Sequence, residues 1–182
     1  KQLTQSNNAQ YASPIFSNDG NYVYVSQTSW PARTFEIWMY HVKGGSGIQI
    51  TKSKATPSTP GNLWKNTLGP VISPDDKFLY YATKRGGFSY NMRFPAWQIE
   101  RRNMITAKED MITRSEGSGI RPIISPNGKF LVYGTRYKTN TGLRIRDLNK
   151  GTDTWLVYPI VRDEQESRST RDLLPTYDFT PN

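Results

Sequence analysis

Short apolar bursts recur along this chain, each pinned to the same polar phrase. "SPIF" (Ser13–Phe16), "GPVI" (Gly69–Ile72) and "RPII" (Arg121–Ile124) each end immediately before a serine. After Ser17, Ser73 and Ser125 come Asn or Pro, then Asp or Asn, and then Gly20, Asp76 or Gly128. A second burst follows at once, as "NYVYV", "KFLYY" and "KFLVY". Thr180, in "YDFTPN", falls at the same place a fourth time, and the four anchors lie 56, 52 and 55 residues apart. A period of this length marks stacked supersecondary units, so the chain reads as a repeat protein.

Each phrase carries the chemistry of a β-hairpin. Pro presets φ in the turn, Asp or Asn tolerates the next angles, and Gly accepts positive φ beyond them. Gly20 and Gly128 are therefore expected at positive φ, and Asp76 must strain or shift its turn. Two further strands follow in every unit: "EIWMYHV" then "GIQIT", "AWQIERRN" then "EDMIT", "LRIRDL" then "TWLVY". Turn-rich "KGGSG", "TAKED" and "NKGTD" separate the members of each pair. Four strands in about fifty residues cannot bury both faces of their sheet, so copies must stack, and radial stacking of such sheets makes a β-propeller. A β-sandwich with irregular strands is the competing reading. The expectation is an all-β partial propeller of about three and a half four-stranded antiparallel blades. Its units cover about 12–51, 68–113 and 120–157, with a further blade starting at 176–182. Ile15, Phe16, Val71, Ile72, Ile123 and Ile124 are expected largely buried on the innermost strands. "KQLTQ" at the start reads as a strand of a preceding blade, and exposed sheet faces at both ends of the stack favour self-association.

Composition agrees with a sheet protein of one domain. The 182 residues are 35% hydrophobic, yet 13% are aromatic, which suits thin layers filled by rings. The absence of cysteine excludes disulfides, thiol catalysis and thiolate metal sites. No apolar run is long enough to span a membrane as a helix, and the compartment is not legible from composition. Lys and Arg number 24 against 15 Asp and Glu, a net charge of +9. With the four strands of a unit labelled A to D in chain order, the A–B and C–D turns of a propeller share one end, while B–C loops and D-to-A connections share the other. The connection segments, 27–34, 52–68, 83–96, 114–120, 135–141 and 158–176, hold thirteen Lys and Arg against five Asp and Glu, and the turns hold five against six. The positive charge should therefore collect at the connection end, where it could steer an acidic ligand or an acidic partner surface.

Catalytic constellations are not found. His41 is the only histidine, set inside strand-like "IWMYHV". That leaves no His-x-His pair for a metal-dependent hydrolase barrel and no unforced Ser-His-Asp triad. There is no Gly-x-Ser-x-Gly elbow, Walker A loop or dinucleotide fingerprint, and glycine-rich "KGGSG" links two strands. No catalytic residue, metal ligand or cofactor is assigned to this chain.

The Ser-Pro-Asp-Gly type of turn after a short apolar strand, with "IT" closing the previous unit, resembles the TolB-like, WD-repeat-like propeller repeats of bacteria. That resemblance covers almost the whole chain. "WLVYPIVRDEQESRSTRDLLPTYDFTPN" (Trp155–Asn182) is similar to the segment of propellers that precede a metal-dependent amidohydrolase domain. It implies a larger bacterial parent of periplasmic or secreted location, in which the propeller packs on a catalytic domain and controls access to it. The chain departs from that pattern by stopping well short of a ring. A TolB-type protein-binding propeller with no enzyme attached, and a propeller that binds acidic polysaccharide or another polyanion, are the alternatives.

Two stretches supply candidate binding residues. "TKRGGFSYNMRFPAW" interleaves Lys84, Arg85 and Arg93 with rings that include Trp97, a pattern fit for stacking on a ligand or for folding the loop onto a neighbouring blade. "RDEQESRSTRD" sets Asp163, Glu164 and Glu166 among Arg162, Arg168 and Arg171, either as a solvated, mutually paired loop or as a contact element for another domain. Arg136 and Lys138 join them on the loop end. The expected partners are the parent's catalytic domain or another protein, with an acidic ligand as a further possibility. Nucleic acid and a membrane span are not expected.

Overall fold

The protein is described here by a computed structural model that covers residues 2–4, 8–29, 34–53, 56, 58–86, 97–114, 116–137, 140–160 and 177–180. These residues form twelve strands and one short 3₁₀ turn at Gly61–Leu63. The first sheet contains β1 (Tyr11–Phe16), β2 (Tyr22–Ser29), β3 (Thr34–His41) and β4 (Ile48–Gln49) in chain order. The second contains β5 (Lys65–Ile72), β6 (Phe78–Arg85), β7 (Gln98–Asn103) and β8 (Glu109–Met111). The third contains β9 (Ile120–Ile124), β10 (Phe130–Tyr137), β11 (Asn140–Asp147) and β12 (Thr152–Ile160). Every pairing is antiparallel, and β5 lies between β1 and β9, so the first strands of the three sheets line one side of the stack. Three consecutive sheets stacked by their faces are three blades of a propeller.

The repeated phrase builds the same turn three times. The hydroxyls of Ser17, Ser73 and Ser125 donate to Asp19, Asp75 and Asn127 at 2.6–2.7 Å. Each hydroxyl also accepts the backbone N–H five residues on, from Tyr22, Phe78 or Phe130, at 2.9 Å. The serine carbonyls accept the N–H of Gly20, Asp76 and Gly128 at 2.8–2.9 Å. Gly20 and Gly128 lie at φ +71° and +69°, as their turn position requires, and Asp76 holds φ +56° without a glycine's freedom. Its carboxylate is compensated by the Asn18 side chain, which donates to it at 2.9 Å.

Burial corrects one expectation about the inner strands. Ile72 is buried, but Ile15, Val71, Ile123 and Ile124 are half-buried and Phe16 is 67% exposed. The cores lie instead between sheets, on the middle strands. Tyr24 and Ile37 of the first blade meet Ile72, Leu79 and Tyr81 of the second. Tyr80, Ala82, Trp97 and Ile99 of the second meet Leu131 and Tyr133 of the third. β1, β5 and β9 are each paired along one edge only, so their side chains gain fewer neighbours than those of strands flanked on both sides. Strand lengths differ as well. β5, β6, β10 and β12 run into Lys65–Leu68, Thr83–Arg85, Thr135–Tyr137 and Tyr158–Ile160, which the sequence reads as connections. Neither Gln2–Thr4 nor Tyr177–Thr180 forms a strand.

The two junctions between blades are closed differently. At the first, the Phe35 N–H donates to Asn66 Oδ1 at 3.0 Å, and the Thr67 hydroxyl donates to the Phe35 carbonyl at 3.1 Å. The hydroxyls of Thr51 and Thr67 lie 2.9 Å apart, and Thr51 donates to the buried Glu36 carboxylate at 2.8 Å. On the second blade's side of this junction, Lys65 Nζ stands 2.6 Å from Glu100 and 3.0 Å from Glu109, which also takes Arg102 and the Tyr81 hydroxyl. At the second junction Gln98 occupies the place of Glu36. Its Oε1 accepts the Thr113 hydroxyl at 2.7 Å, and its Nε2 donates to the Gly117 carbonyl at 2.9 Å. Trp97 takes the place of Phe35, and its carbonyl accepts the Gly119 N–H at 2.7 Å.

Candidate functional site

A proline-walled recess opens where β1, β5 and β9 converge. Ser13–Pro14, Gly69–Pro70 and Arg121–Pro122 occupy the same offset before the turn serine in each blade, and the residue before each proline has φ +53°, +66° or +49°. Proline has no N–H to give the ladder, and the pairing register shifts at each of these sites. Three bulges at one offset thus bring Pro14, Pro70 and Pro122 to one recess. Together with Ile15, Ile123 and Tyr177 they bound a space of about 340 Å³. Its wall is mostly apolar, with Ser13 and Arg121 exposed.

The bulges are braced from behind. The Ser26 hydroxyl accepts the Gly69 N–H at 3.1 Å. The Tyr177 hydroxyl accepts the Gly134 N–H at 3.0 Å and donates to the Arg121 carbonyl, so residue 177 is tied to the third blade's bulge. Burial holds the Tyr177 phenol well above its ordinary pKa, which keeps it a neutral donor and acceptor. Such a recess is stiff and has polar groups at fixed points, a geometry suited to receiving a ligand group or a partner's side chain. Among the described residues no group of three His, Cys, Asp or Glu side chains could hold a metal ion.

Of the cationic candidates, Lys84, Arg85 and Arg136 lie among the described residues, near the connection ends of β6 and β10. Arg85 is exposed at the end of β6. Lys84 is half-buried with Nζ 5.8 Å from the centre of the Trp97 ring, and burial lowers its pKa. Arg136 is half-buried near the end of β10, and its N–H donates to the Ser118 hydroxyl at 3.0 Å. Trp97 is a correction. At 2% exposure it packs between the second and third blades and offers no face to a ligand, so this ring follows the blade-packing reading of its loop. Lys65, one of the connection-end cations, spends its charge on Glu100 and Glu109, which hold its pKa up against the lowering effect of burial. Arg93, Lys138, Arg162, Asp163, Glu164, Glu166, Arg168 and Arg171 lie outside the described residues.

The recess itself was missed in the sequence. The signal was there, an X-Pro pair at one offset in all three copies, but a proline beside an apolar burst reads equally well as a strand start.

Comparison with family models and with curated proteins finds no match. Among solved structures the chain is similar to an oligogalacturonate lyase from Vibrio parahaemolyticus, at 16% identity and TM-score 0.52, over 79% of this chain and 38% of that one. It is also similar to a puromycin-hydrolyzing peptidase of Mycobacterium tuberculosis, at 13% identity and TM-score 0.56, over 81% of this chain and 20% of that one. A TolB from Acinetobacter baumannii aligns at 19% identity and TM-score 0.41, over 85% of this chain and 45% of that one. The chain therefore spans less than two thirds of each of these proteins. At such identities the likeness concerns fold alone, and that fold is the β-propeller.

Proposed function

We propose that this chain is a TolB-like propeller segment of a larger bacterial protein, a non-catalytic scaffold whose connection end docks a further domain. In this reading the docked domain is a metal-dependent amidohydrolase, and the propeller's loop end and channel govern access to it. The observation that carries the proposal is the division of labour between the two ends of the stack. The turn end is closed by repeated serine–carboxylate and serine–amide bonds, whereas the connection end presents Arg85, Lys52 and Arg114 exposed, with Lys84 and Arg136 beside them. The likeness of Trp155–Asn182 to the segment before an amidohydrolase domain supports the choice of partner.

The test separates the parts. This chain and the remainder of its gene product, made as two polypeptides, should co-purify at low salt and separate as salt rises. Neutralising Lys84, Arg85 and Arg93 together should weaken that association and leave the circular dichroism spectrum intact. Unchanged association would refute the docking role. A remainder with no His-x-His pair would favour a protein-binding propeller without an enzyme. Salt-sensitive retention on an acidic polysaccharide, with no protein partner bound, would favour the polyanion reading that the same cations support.

A further inference from the structure

Asn127–Gly128 is the chain's one Asn-Gly pair, and it sits at the tip of the third turn with Asn127 exposed. We propose that Asn127 is a site of spontaneous deamidation whose aspartate product the turn accepts without rearrangement. This inference is independent of the docking role.

Two donors converge on the side-chain oxygen of the amide that would be attacked. The Ser125 hydroxyl donates to Asn127 Oδ1 at 2.7 Å, and the Lys129 N–H donates to the same atom at 3.0 Å. Both draw electron density from the carbonyl and leave Cγ more electrophilic, as paired donors do for any carbonyl under attack. Glycine at the next position places no side chain in the path of its own nitrogen. That nitrogen is held by one bond, donated to the Ser125 carbonyl at 2.8 Å, and attack requires local opening of that bond in an exposed turn. The deprotonated Gly128 nitrogen then adds to Cγ, the bond from Cγ to the side-chain nitrogen breaks, and ammonia leaves. Water opens the resulting five-membered imide at one carbonyl or the other, giving aspartate or isoaspartate. Amide and water go in, acid and ammonia come out, and nothing is oxidised or reduced.

The other two turns show what the aspartate would meet. Asp19 and Asp75 occupy the matching position, and each accepts the hydroxyl of its serine and the N–H two residues on. Those bonds, the serine's first, hold both carboxyls down at about 2. In the second turn Lys77 Nζ stands 3.2 Å from Asp75, and Lys129 is its counterpart in the third. Deamidation would therefore turn the third copy into the chemistry of the first two. Isoaspartate adds a carbon to the main chain and cannot keep both bonds.

Ageing the folded chain at mildly alkaline pH, followed by peptide mapping with mass spectrometry, reads the site directly. Residue 127 should gain the amide-to-acid mass difference ahead of every other asparagine. The N127D variant should melt at or above the wild-type temperature at neutral pH. Its folded carboxyl should titrate below the unfolded one, so that advantage should be full above about pH 4 and fade as the pH falls further. Asn127 staying intact in the folded chain while it converts in urea would overturn the site. A lower melting temperature for N127D would overturn the claim that the turn accepts the product.

Discussion

The first and second blade junctions bury comparable apolar clusters yet close them with different chemistry. Between blades one and two, Asn66 and Thr67 bond Phe35 and Thr51 across the gap, Glu36 anchors Thr51 from the first blade, and the Lys65 ion cluster lies on the second blade's side. Between blades two and three, a whole indole fills the gap, and the crossing bonds come from Gln98 and from the Trp97 carbonyl. The backbone positions correspond one for one: Phe35 to Trp97, Glu36 to Gln98, Thr51 to Thr113 and Thr67 to Gly119. What differs is how many partners must fit at once. A charge-bearing junction needs every member in place, whereas a ring-filled junction needs one large side chain and room for it. Gly119, which bonds the Trp97 carbonyl, leaves space for Ile99 beside that ring, since a Cβ there would come within 3.1 Å of the Ile99 side chain.

The ring-filled junction should break most easily. Trp97→Ala removes a side chain that is only 2% exposed and should cost about 3–5 kcal/mol, read as a lower melting midpoint in urea. Lys65→Met comes next, since it leaves Glu100 and Glu109 facing each other on the second blade. A loss of about 2–4 kcal/mol at neutral pH is expected. Burial alone would raise the Glu109 carboxyl, but Lys65, Tyr81 and Arg102 outweigh it and hold it below its ordinary 4.5. A depressed folded pKa gives stability that is full above the unfolded value and drains as pH falls through the folded one. The penalty of Lys65→Met should therefore shrink in acid, and a penalty constant with pH would exclude the ionic account.

Asp76→Gly probes the joint between the first two turns. Relief of a positive φ is worth about 1 kcal/mol, but the variant also loses the bond from Asn18. In the wild-type background the two effects should nearly cancel, and in an Asn18→Ala background the gain should emerge. Glu36→Gln should have the smallest effect. Burial, against the bonds from Thr51 and Ser53, pushes the Glu36 carboxyl above its ordinary value. A raised folded pKa means the ionised form costs stability above that pKa. The neutral amide should thus help slightly at neutral pH and lose its advantage as pH falls, approaching the arrangement that Gln98 already has.

Much of the fold could be read from local chemistry. Ser17, Ser73 and Ser125 bond within five residues of themselves, so the turn pattern was visible in a few letters, and with it the strand pairs on either side. What escaped was set by distant neighbours. Phe16 looks like a core residue beside Ile15, but which side of an inner strand meets another blade depends on stacking. Lys65 looks like a loop cation until Glu100 and Glu109, far along the chain, are brought to it. Trp97 looks like part of a basic–aromatic loop, and the third blade decides that it is core. The recess needed three bulges to be seen side by side, which no single copy of the repeat reveals.

Amide hydrogen exchange on the wild type, Lys65→Met and Trp97→Ala tests most directly whether the blades are separately locked units. Lys65→Met should speed exchange at Ile37, Leu79 and Tyr81 and leave Leu131 and Tyr133 protected, while Trp97→Ala should do the reverse. Equal acceleration at all five amides in both variants would contradict the account, because the stack would then open as one body with no distinction between its junctions.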